Sequence, residues 1–145
     1  MKTQVSRSFL SMAGEFGVAS ELNKRTFHCS VTYGNSKAMD IIVLSKIDPN
    51  KYAIIEVKTT NTNKFVTNYF QKYFNSSKQH PDFWIFVHID SNNLQSQYYI
   101  FTHDEVCKLQ MKVNKMDSIY KVVGCDNIPL KNLKDGLNAW DKLKF

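Results

Sequence analysis

Apolar residues recur at helical spacing between residues 6 and 24. This pattern predicts an amphipathic helix whose apolar face packs on the rest of the protein. The apolar positions are Phe9, Met12, Ala13, Phe16, Ala19 and Leu22. Gly14 and Gly17 lower the helix propensity of this segment, which the chain tolerates if they let the helix approach another backbone closely.

Two runs rich in β-branched and aliphatic residues, 39–44 and 52–58, flank the turn residues Asp48, Pro49 and Asn50. This combination predicts a β-hairpin. The register of the hairpin decides which side chains meet, because residues opposite each other on antiparallel strands point to the same face of the sheet.

Two registers place the polar residues of these strands on one sheet face. A turn centred on Pro49 puts Asp40 opposite Lys58, and a turn centred on Asp48 puts Asp40 opposite Glu56. A slip of one residue would move Asp40 to the other face. The prediction that Asp40, Glu56 and Lys58 share a face therefore depends on the register.

An aromatic-rich segment and two further strands follow the hairpin. The segment from residue 65 to residue 74 predicts a helix, and its rings suit core packing, a dimer surface or stacking on bases. Its aromatic positions are Phe65, Tyr69, Phe70, Tyr73 and Phe74. Residues 82–89 and 97–101 predict two strands, and the first is so apolar that it should be a central strand.

The last third of the chain is predicted to be mostly helical. Thr102 and Glu105 form a capping-box pattern that opens a helix, and apolar spacing predicts a final helix near the end of the chain. The apolar positions are Val106, Leu109, Val113 and Met116 in the first and Leu133, Leu137, Trp140 and Leu143 in the second. With a short segment at residues 120–123, the order is helix, three strands, helix, two strands, then helices. This order predicts a single α/β domain, residues 1–145, with a mixed β-sheet.

The composition agrees with a packed domain that binds a polyanion. Of the 145 residues, 43% are hydrophobic and 13% are aromatic, which favours a globular protein over a disordered one. Nineteen lysines and arginines against thirteen aspartates and glutamates give a net charge of +6. That excess of positive charge suits a polyanionic partner.

The sequence argues against a zinc protein, a disulfide-rich protein and a membrane protein. The three cysteines and four histidines are scattered, without the spacing of a zinc site or a disulfide framework. No apolar run reaches about 18 residues, and the N-terminus lacks the hydrophobic segment of a secretory signal. We therefore expect a cytoplasmic protein with reduced thiols and no membrane partner.

The hairpin face that carries Asp40 and Glu56 is otherwise apolar. Its apolar residues are Ile42, Leu44, Tyr52 and Ile54. Two carboxylates on such a surface need a cation, a proton or an opposing base, because an unpaired buried carboxylate is costly. Lys58 can balance one carboxylate, and a hard divalent cation would balance the remainder. The alternative is a structural ion pair between Glu56 and Lys58, with Asp40 simply starting a strand.

Glu15 adds a third carboxylate, on the predicted first helix. It falls in line with Met12, Val18 and Leu22, so it borders the face that packs on the sheet. The alternative is a residue at the edge of the apolar stripe whose carboxylate reaches water.

These residues resemble the PD-(D/E)XK nuclease superfamily, which has the restriction-endonuclease-like fold. The resemblance runs through Gly14-Glu15, Val18-Ala19 and Leu22, then Gly34-Asn35-Ser36 before Asp40, then Ile55-Glu56-Val57-Lys58-Thr59-Thr60. Within the superfamily, the pattern is similar to small single-domain members such as archaeal Holliday-junction resolvases. Met39 stands where a proline often precedes the aspartate. The implied fold is a three-layer α/β core in which helices flank a mixed β-sheet.

The resemblance implies a metal-dependent nuclease with Glu15, Asp40, Glu56 and Lys58 as catalytic residues. Asp40 and Glu56 would hold Mg²⁺, or Mn²⁺ in its place, with the Val57 carbonyl and Glu15 as further ligands. Lys58 would orient the attacking water or stabilise the charged phosphorus. The expected reaction is hydrolysis of phosphodiester bonds in DNA. Cleavage of RNA by the same site and a non-catalytic interaction module are the alternatives.

Short polar residues and a lysine near the motif are the expected contacts to nucleic acid. These residues are Asn35, Thr59, Thr60 and Lys64, since amides, hydroxyls and ammonium groups bind phosphates. An ordinary polar loop is the alternative for the residues that follow the motif. We expect a homodimer, because two sites can then address two DNA strands. The choice of target would come from loops, from DNA shape or from a partner protein.

Overall fold

The computed structural model describes residues 6–32, 39–73, 79–114 and 126–145. The strands are β1 (Cys29–Val31), β2 (Ile41–Leu44), β3 (Tyr52–Thr60), β4 (Lys64–Val66), β5 (Phe83–Ile89), β6 (Ser96–Thr102) and β7 (Asn127–Pro129). The α-helices are α1 (Arg7–Lys24), α2 (Tyr69–Tyr73) and α3 (His103–Val113), and two 3-10 helices span Leu130–Gly136 and Trp140–Lys142.

Five strands form a mixed sheet in the order β1-β2-β3-β5-β6. Strand β3 pairs antiparallel with β2 and parallel with β5, and β5 pairs antiparallel with β6. Strands β4 and β7 form a separate antiparallel pair. The prediction of a central apolar strand is confirmed, because β5 has a partner on each side and its residues 83–87 are all buried.

Helices cover both faces of the five-stranded sheet, so the predicted three-layer α/β fold is confirmed. On one face, Val18 and Leu22 of α1 pack in a core with the odd-numbered residues of β3 and β5. On the other face, Trp84 of β5 packs with Tyr69 of α2 and Val106 of α3. Because side chains alternate between the two faces along β3, those of Glu56 and Lys58 point toward α2 and that of Val57 points toward α1.

Helix α1 buries a narrower stripe than the sequence predicts. Gly14, Val18 and Leu22, spaced four residues apart, are buried. Phe9, Met12, Ala13 and Phe16 are exposed, so the prediction that these four residues pack on the sheet is wrong. The physical reason is the absence of a side chain at Gly14, which lets the helix approach β3 along that line.

We expect Gly14→Ala to destabilise the protein by about 1–3 kcal/mol through overpacking. An added Cβ would lie 1.8 Å from Thr59 Oγ1 and 2.9 Å from Thr59 Cβ, on a stiff β-branched side chain in a central strand. The matched control is Gly17→Ala, whose Cβ would meet the far end of Tyr98 at 2.7 Å, where the ring can yield. Urea denaturation measures both variants, and equal losses of stability would contradict the prediction.

The predicted aromatic helix begins later in the chain than expected. Phe65 lies in β4, where it pairs with Ile128 of β7, and the helix begins at Tyr69. Asn68, just before the helix, has a left-handed φ of 51°. Phe65 and Tyr69 have helical spacing in the sequence, but Phe65 lies in the middle of a strand and Tyr69 lies at the start of a helix. The prediction of a helix is therefore wrong at Phe65. Phe74 lies outside the described residues.

The predicted last helix is also wrong, because two 3-10 helices take its place. Leu137 forms an isolated antiparallel bridge with Tyr99, and Asn138 has a φ of 52°. Both features interrupt a helix between the buried residues Leu133 and Trp140. Two short helices therefore reproduce the apolar spacing of one long helix.

Helix α3 begins as predicted, with the capping box in place. Glu105 N–H donates to Thr102 Oγ1 at 3.2 Å, and Thr102 N–H donates to Glu105 Oε2 at 2.8 Å. The predicted continuation to Met116 and the segment at residues 120–123 lie outside the described residues. None of the helices that the structure describes is long and apolar enough to cross a membrane.

Candidate active site

The hairpin register brings Asp40 opposite Glu56. Ile41 pairs with Ile55, which centres the hairpin on Asp48. Of the two registers that the sequence allows, the one centred on Asp48 is confirmed. Asp40 N–H donates to Ile55 O at 3.2 Å, so the pairing continues one residue beyond β2.

Hydrogen bonds hold both the side chain and the backbone of Asp40 in place. Its Oδ2 accepts a hydrogen bond from Val57 N–H at 2.7 Å, and its backbone oxygen accepts one from Thr32 N–H at 2.9 Å. Among the residues that the structure describes, none donates a hydrogen bond to Oδ1 of Asp40. One carboxylate oxygen is therefore held in place while the other can contact a ligand.

Glu56 is buried, and both of its carboxylate oxygens are bonded. Oε1 lies 2.9 Å from Lys58 Nζ and 2.8 Å from Lys72 Nζ. The Tyr73 hydroxyl donates to Oε2 at 2.5 Å. Two positive charges and one hydroxyl group therefore surround a single buried negative charge.

Lys72 and Tyr73 reach this site from α2, and the sequence did not place either of them beside Glu56. The structure describes five residues of their helix, Tyr69–Tyr73, which are too few for a periodic pattern that would identify a buried face. The parallel pairing of β3 with β5 requires a crossover connection that returns over the sheet, and α2 belongs to that connection. The crossover was therefore the one signal that could have placed Lys72 near Glu56.

Charge and burial set the pKa values of the two paired carboxylates in opposite directions. Burial is the largest cause that raises the pKa of Asp40, and the charge of Glu56 raises it further. Burial also raises the pKa of Glu56, but Lys58 and Lys72 together outweigh it and hold that pKa below its usual range. Lys58 and Lys72 also act to lower the pKa of Asp40, but burial and the charge of Glu56 outweigh them, so the lysines stabilise the carboxylate of Glu56 more than that of Asp40.

Glu15 approaches from the α1 side of the sheet. Burial, followed by the negative charge of Asp40, raises the pKa of Glu15. Among the described residues, however, no group of three His, Cys, Asp or Glu side chains is placed to hold a metal ion. The structure thus brings Glu15 within electrostatic reach of Asp40, and its role as a metal ligand stays a prediction.

Two carboxylates at this site are donors of the kind that hard divalent cations bind. Asp40 and Glu56 supply carboxylate oxygens from opposite positions of the hairpin, and Oδ1 of Asp40 can accept a ligand. Mg²⁺ typically binds one or two protein carboxylates and completes its shell with waters and substrate oxygens. A cation bound to Glu56 would have to compete with Lys58 and Lys72 for the same carboxylate.

Hydrogen bonds join Trp84, His103 and Tyr69 next to the ring of Tyr73. Trp84 Nε1–H donates to His103 Nδ1 at 3.1 Å, so the proton of neutral His103 is on Nε2, 3.1 Å from the Tyr69 hydroxyl. Burial, followed by the charge of His80, lowers the pKa of His103 to about 4. The rings of His103 and Tyr73 meet edge to face at 5.1 Å. Neutral His103 thus helps to fix the wall against which Tyr73 packs.

The predicted contacts to nucleic acid are only partly brought together. Thr59 Oγ1 is buried beside Gly14 and has no hydrogen-bond partner among the described residues. Thr60 lies on the opposite face, with Glu56 and Lys58, and Lys64 is exposed on β4. Asn35 lies outside the described residues. The contacts of these residues with nucleic acid stay predictions.

Comparison with known proteins identifies a shared fold. No protein-family model matches the chain, and no curated protein matches it in sequence. Among solved structures, the chain is similar to the bacterial homing endonuclease I-Ssp6803I, with a TM-score of 0.62 over 97% of this chain and 92% of that chain. The two sequences are 11% identical, so the similarity concerns the fold, and assignment to the PD-(D/E)XK superfamily stays a prediction. The chain therefore shares its mixed α/β fold with a bacterial homing endonuclease.

Proposed function

We propose that this protein is a Mg²⁺-dependent nuclease of the PD-(D/E)XK type that hydrolyses phosphodiester bonds in DNA, with Mn²⁺ as a possible substitute. The observation that carries the proposal is the placement of Asp40 opposite Glu56, with Lys58 Nζ 2.9 Å from Glu56 Oε1. The fold shared with a homing endonuclease supports DNA as the substrate.

Each residue of the site has a part in the proposed hydrolysis. Mg²⁺, when bound, would lower the pKa of a water molecule and offset the charge of the phosphate. Asp40 and Glu56 would hold the cation, and the Val57 carbonyl and Glu15 are proposed as further ligands. The hydrogen bond from Val57 N–H holds Oδ2 of Asp40, which would leave Oδ1 to contact the cation. Lys58 would orient the attacking water or stabilise charge on the phosphorus.

Cleavage of supercoiled plasmid, branched DNA and single-stranded RNA tests this proposal. We expect wild-type protein to cut DNA with Mg²⁺ or Mn²⁺ and not with EDTA, and Lys58→Ala to cut about a hundredfold more slowly. The control is Asp135→Asn, which removes an exposed carboxylate from the 3-10 helix Leu130–Gly136. Cutting of RNA alone would change the substrate class. Cutting that survives in Lys58→Ala would point to another site.

A non-catalytic interaction module is the second candidate. The observation that favours it is that Lys58, Lys72 and Tyr73 already bond both oxygens of Glu56. A metal site should raise the melting temperature on addition of Mg²⁺ or Mn²⁺, and Asp40→Ala should remove that rise. A melting temperature that changes neither on addition of the metal nor in the Asp40→Ala variant would favour the interaction module.

The proposal also includes two copies of the chain acting together in the cytoplasm. A duplex has two strands, and a homodimer would bring one site to each of them. Sequence or structure preference would then come from loops, from DNA shape or from a partner protein. Analytical ultracentrifugation with and without duplex DNA measures the number of copies, and a monomer bound to cleavable DNA would contradict the dimer.

A further inference from the structure

A single carboxylate oxygen at the candidate site contacts two lysines. The Nζ atoms of Lys58 and Lys72 lie 2.9 and 2.8 Å from Glu56 Oε1. Lys58 is two residues away on the same strand, whereas Lys72 reaches Glu56 from α2. One negative charge is neutralised by one lysine, so Lys72 brings a second positive charge that Glu56 alone does not balance.

Lys72 is the more accessible of the two lysines, and its helix is anchored on both sides. The exposed fraction of the side chain is 32% for Lys72, 21% for Lys58 and 3% for Glu56. Tyr69 is buried in the core, and the Tyr73 hydroxyl is bonded to Glu56 Oε2. The long side chain of Lys72 can therefore change partners without any movement of the helix backbone.

The charges at the site balance only when a cation and a phosphate are both present. Glu15, Asp40 and Glu56 carry three negative charges when ionised, against two positive charges on Lys58 and Lys72. A divalent cation together with one phosphodiester group would leave the site neutral. A cation at Glu56 would also repel the ammonium group that lies nearest to solvent, and a phosphate oxygen would supply that group with a new partner.

We propose that Lys72 is a second phosphate-binding lysine of this site, held on Glu56 in the free protein and transferred to the DNA backbone when cation and substrate bind. This inference rests on the proposed nuclease function. In the free protein Lys72 binds the Glu56 carboxylate, so it competes with the cation for that carboxylate. Once the cation is bound, Lys72 binds the substrate instead.

The salt dependence of DNA binding is the first test. Fluorescence anisotropy of a labelled duplex, with Ca²⁺ in place of Mg²⁺, gives the slope of log K against log salt concentration. Lys72→Gln should reduce the magnitude of that slope by about 0.9, the loss of one phosphate contact. Lys72→Arg keeps the charge and should keep the slope. Lys108→Gln removes an exposed lysine of α3 and should also keep it.

The affinity for Mn²⁺ in the absence of DNA is the second test. Isothermal titration calorimetry should show that Lys72→Gln binds Mn²⁺ about tenfold more tightly than wild type, because a competing cation has been removed. A lysine that only fastens α2 to the sheet would leave the affinity for Mn²⁺ unchanged or weaken it.

The outcomes separate this inference from the proposed function. A Lys72→Gln variant with the wild-type slope and wild-type affinity for Mn²⁺ would overturn the role of Lys72, even if the wild-type protein cuts DNA. A slope reduced equally in Lys72→Arg and Lys72→Gln would also overturn it, since the charge would then be irrelevant. A wild-type protein that binds DNA through Lys72 and never cuts it would support the contact and refute the nuclease.

Discussion

Replacement of Glu56 by glutamine is expected to lower the rate of DNA cleavage about a thousandfold or more. The substitution preserves the shape of the side chain and removes its charge. That charge is the proposed anchor for the cation, and it also holds Lys58 and Lys72 at 2.9 and 2.8 Å. Single-turnover cleavage with saturating protein measures the effect, because it separates the chemical step from product release.

The same substitution should also lower the free energy of unfolding, by about 1–3 kcal/mol. In Glu56→Gln, two ammonium groups would face each other across a neutral amide, in a partly buried place. Urea denaturation of the same variant measures its free energy of unfolding, and this shows whether cleavage is lost because the reaction fails or because the protein unfolds.

Glu105→Gln is the matched control for this experiment. Glu105 also pairs with a lysine, Lys142, at 3.0 Å, and it lies on α3. Glutamine preserves the capping box at this position, so the helix should keep its start. We expect cleavage by Glu105→Gln to remain at the wild-type rate. A nuclease in which Glu56→Gln cuts as fast as Glu105→Gln has its catalytic site elsewhere.

The second large effect is expected in the pH dependence of stability, through His103. The pKa of His103 in the folded protein is about 4, below its ordinary value of 6.5. Between these two values the unfolded chain binds a proton that the folded protein does not, so the free energy of unfolding falls as the pH falls from 6.5 to 4. The difference corresponds to at most about 3 kcal/mol, because His103 is only partly buried, and the loss levels off below about pH 4.

Urea denaturation at several pH values tests this prediction through the variant His103→Asn. Asparagine can still accept the hydrogen bond from Trp84 Nε1–H, and it does not titrate in this range. The variant is expected to be less stable than wild type near neutral pH and to lose less stability on acidification. His28→Asn, which removes an exposed histidine, should follow the wild-type curve. Parallel curves for wild type and His103→Asn would disprove the role of His103.

The shared sheet face of Asp40, Glu56 and Lys58 could be predicted because their arrangement is local. The period of two along a strand fixes which side chains share a face, and turn residues close to Asp48 limit the hairpin to two useful registers. The sequence could not choose between these registers. The structure does so through the pairing of Ile41 with Ile55.

The remaining features depend on contacts that no local pattern contains. Lys72 reaches Glu56 only because β3 pairs in parallel with β5, and the residues that set this pairing lie far apart in the chain. The exposed face of α1 differs from the prediction for a related reason. Phe16 has the spacing of a core residue, but the bare backbone at Gly14 fits closely over Thr59, so shape decides the packing.

The two lysines on Glu56 lie on elements that differ in how far apart in the chain their partners are, since Lys58 is on β3 and Lys72 is on α2, in the crossover from β3 to β5. The hairpin of β2 and β3 is local, and it carries Asp40, Glu56 and Lys58. Lys72 arrives with the crossover to β5, and such parallel pairings form more slowly because a longer loop must close first. During folding, we therefore expect Asp40, Glu56 and Lys58 to come together before Lys72 reaches Glu56, so the proposed cation site would form before the proposed contact to the DNA backbone.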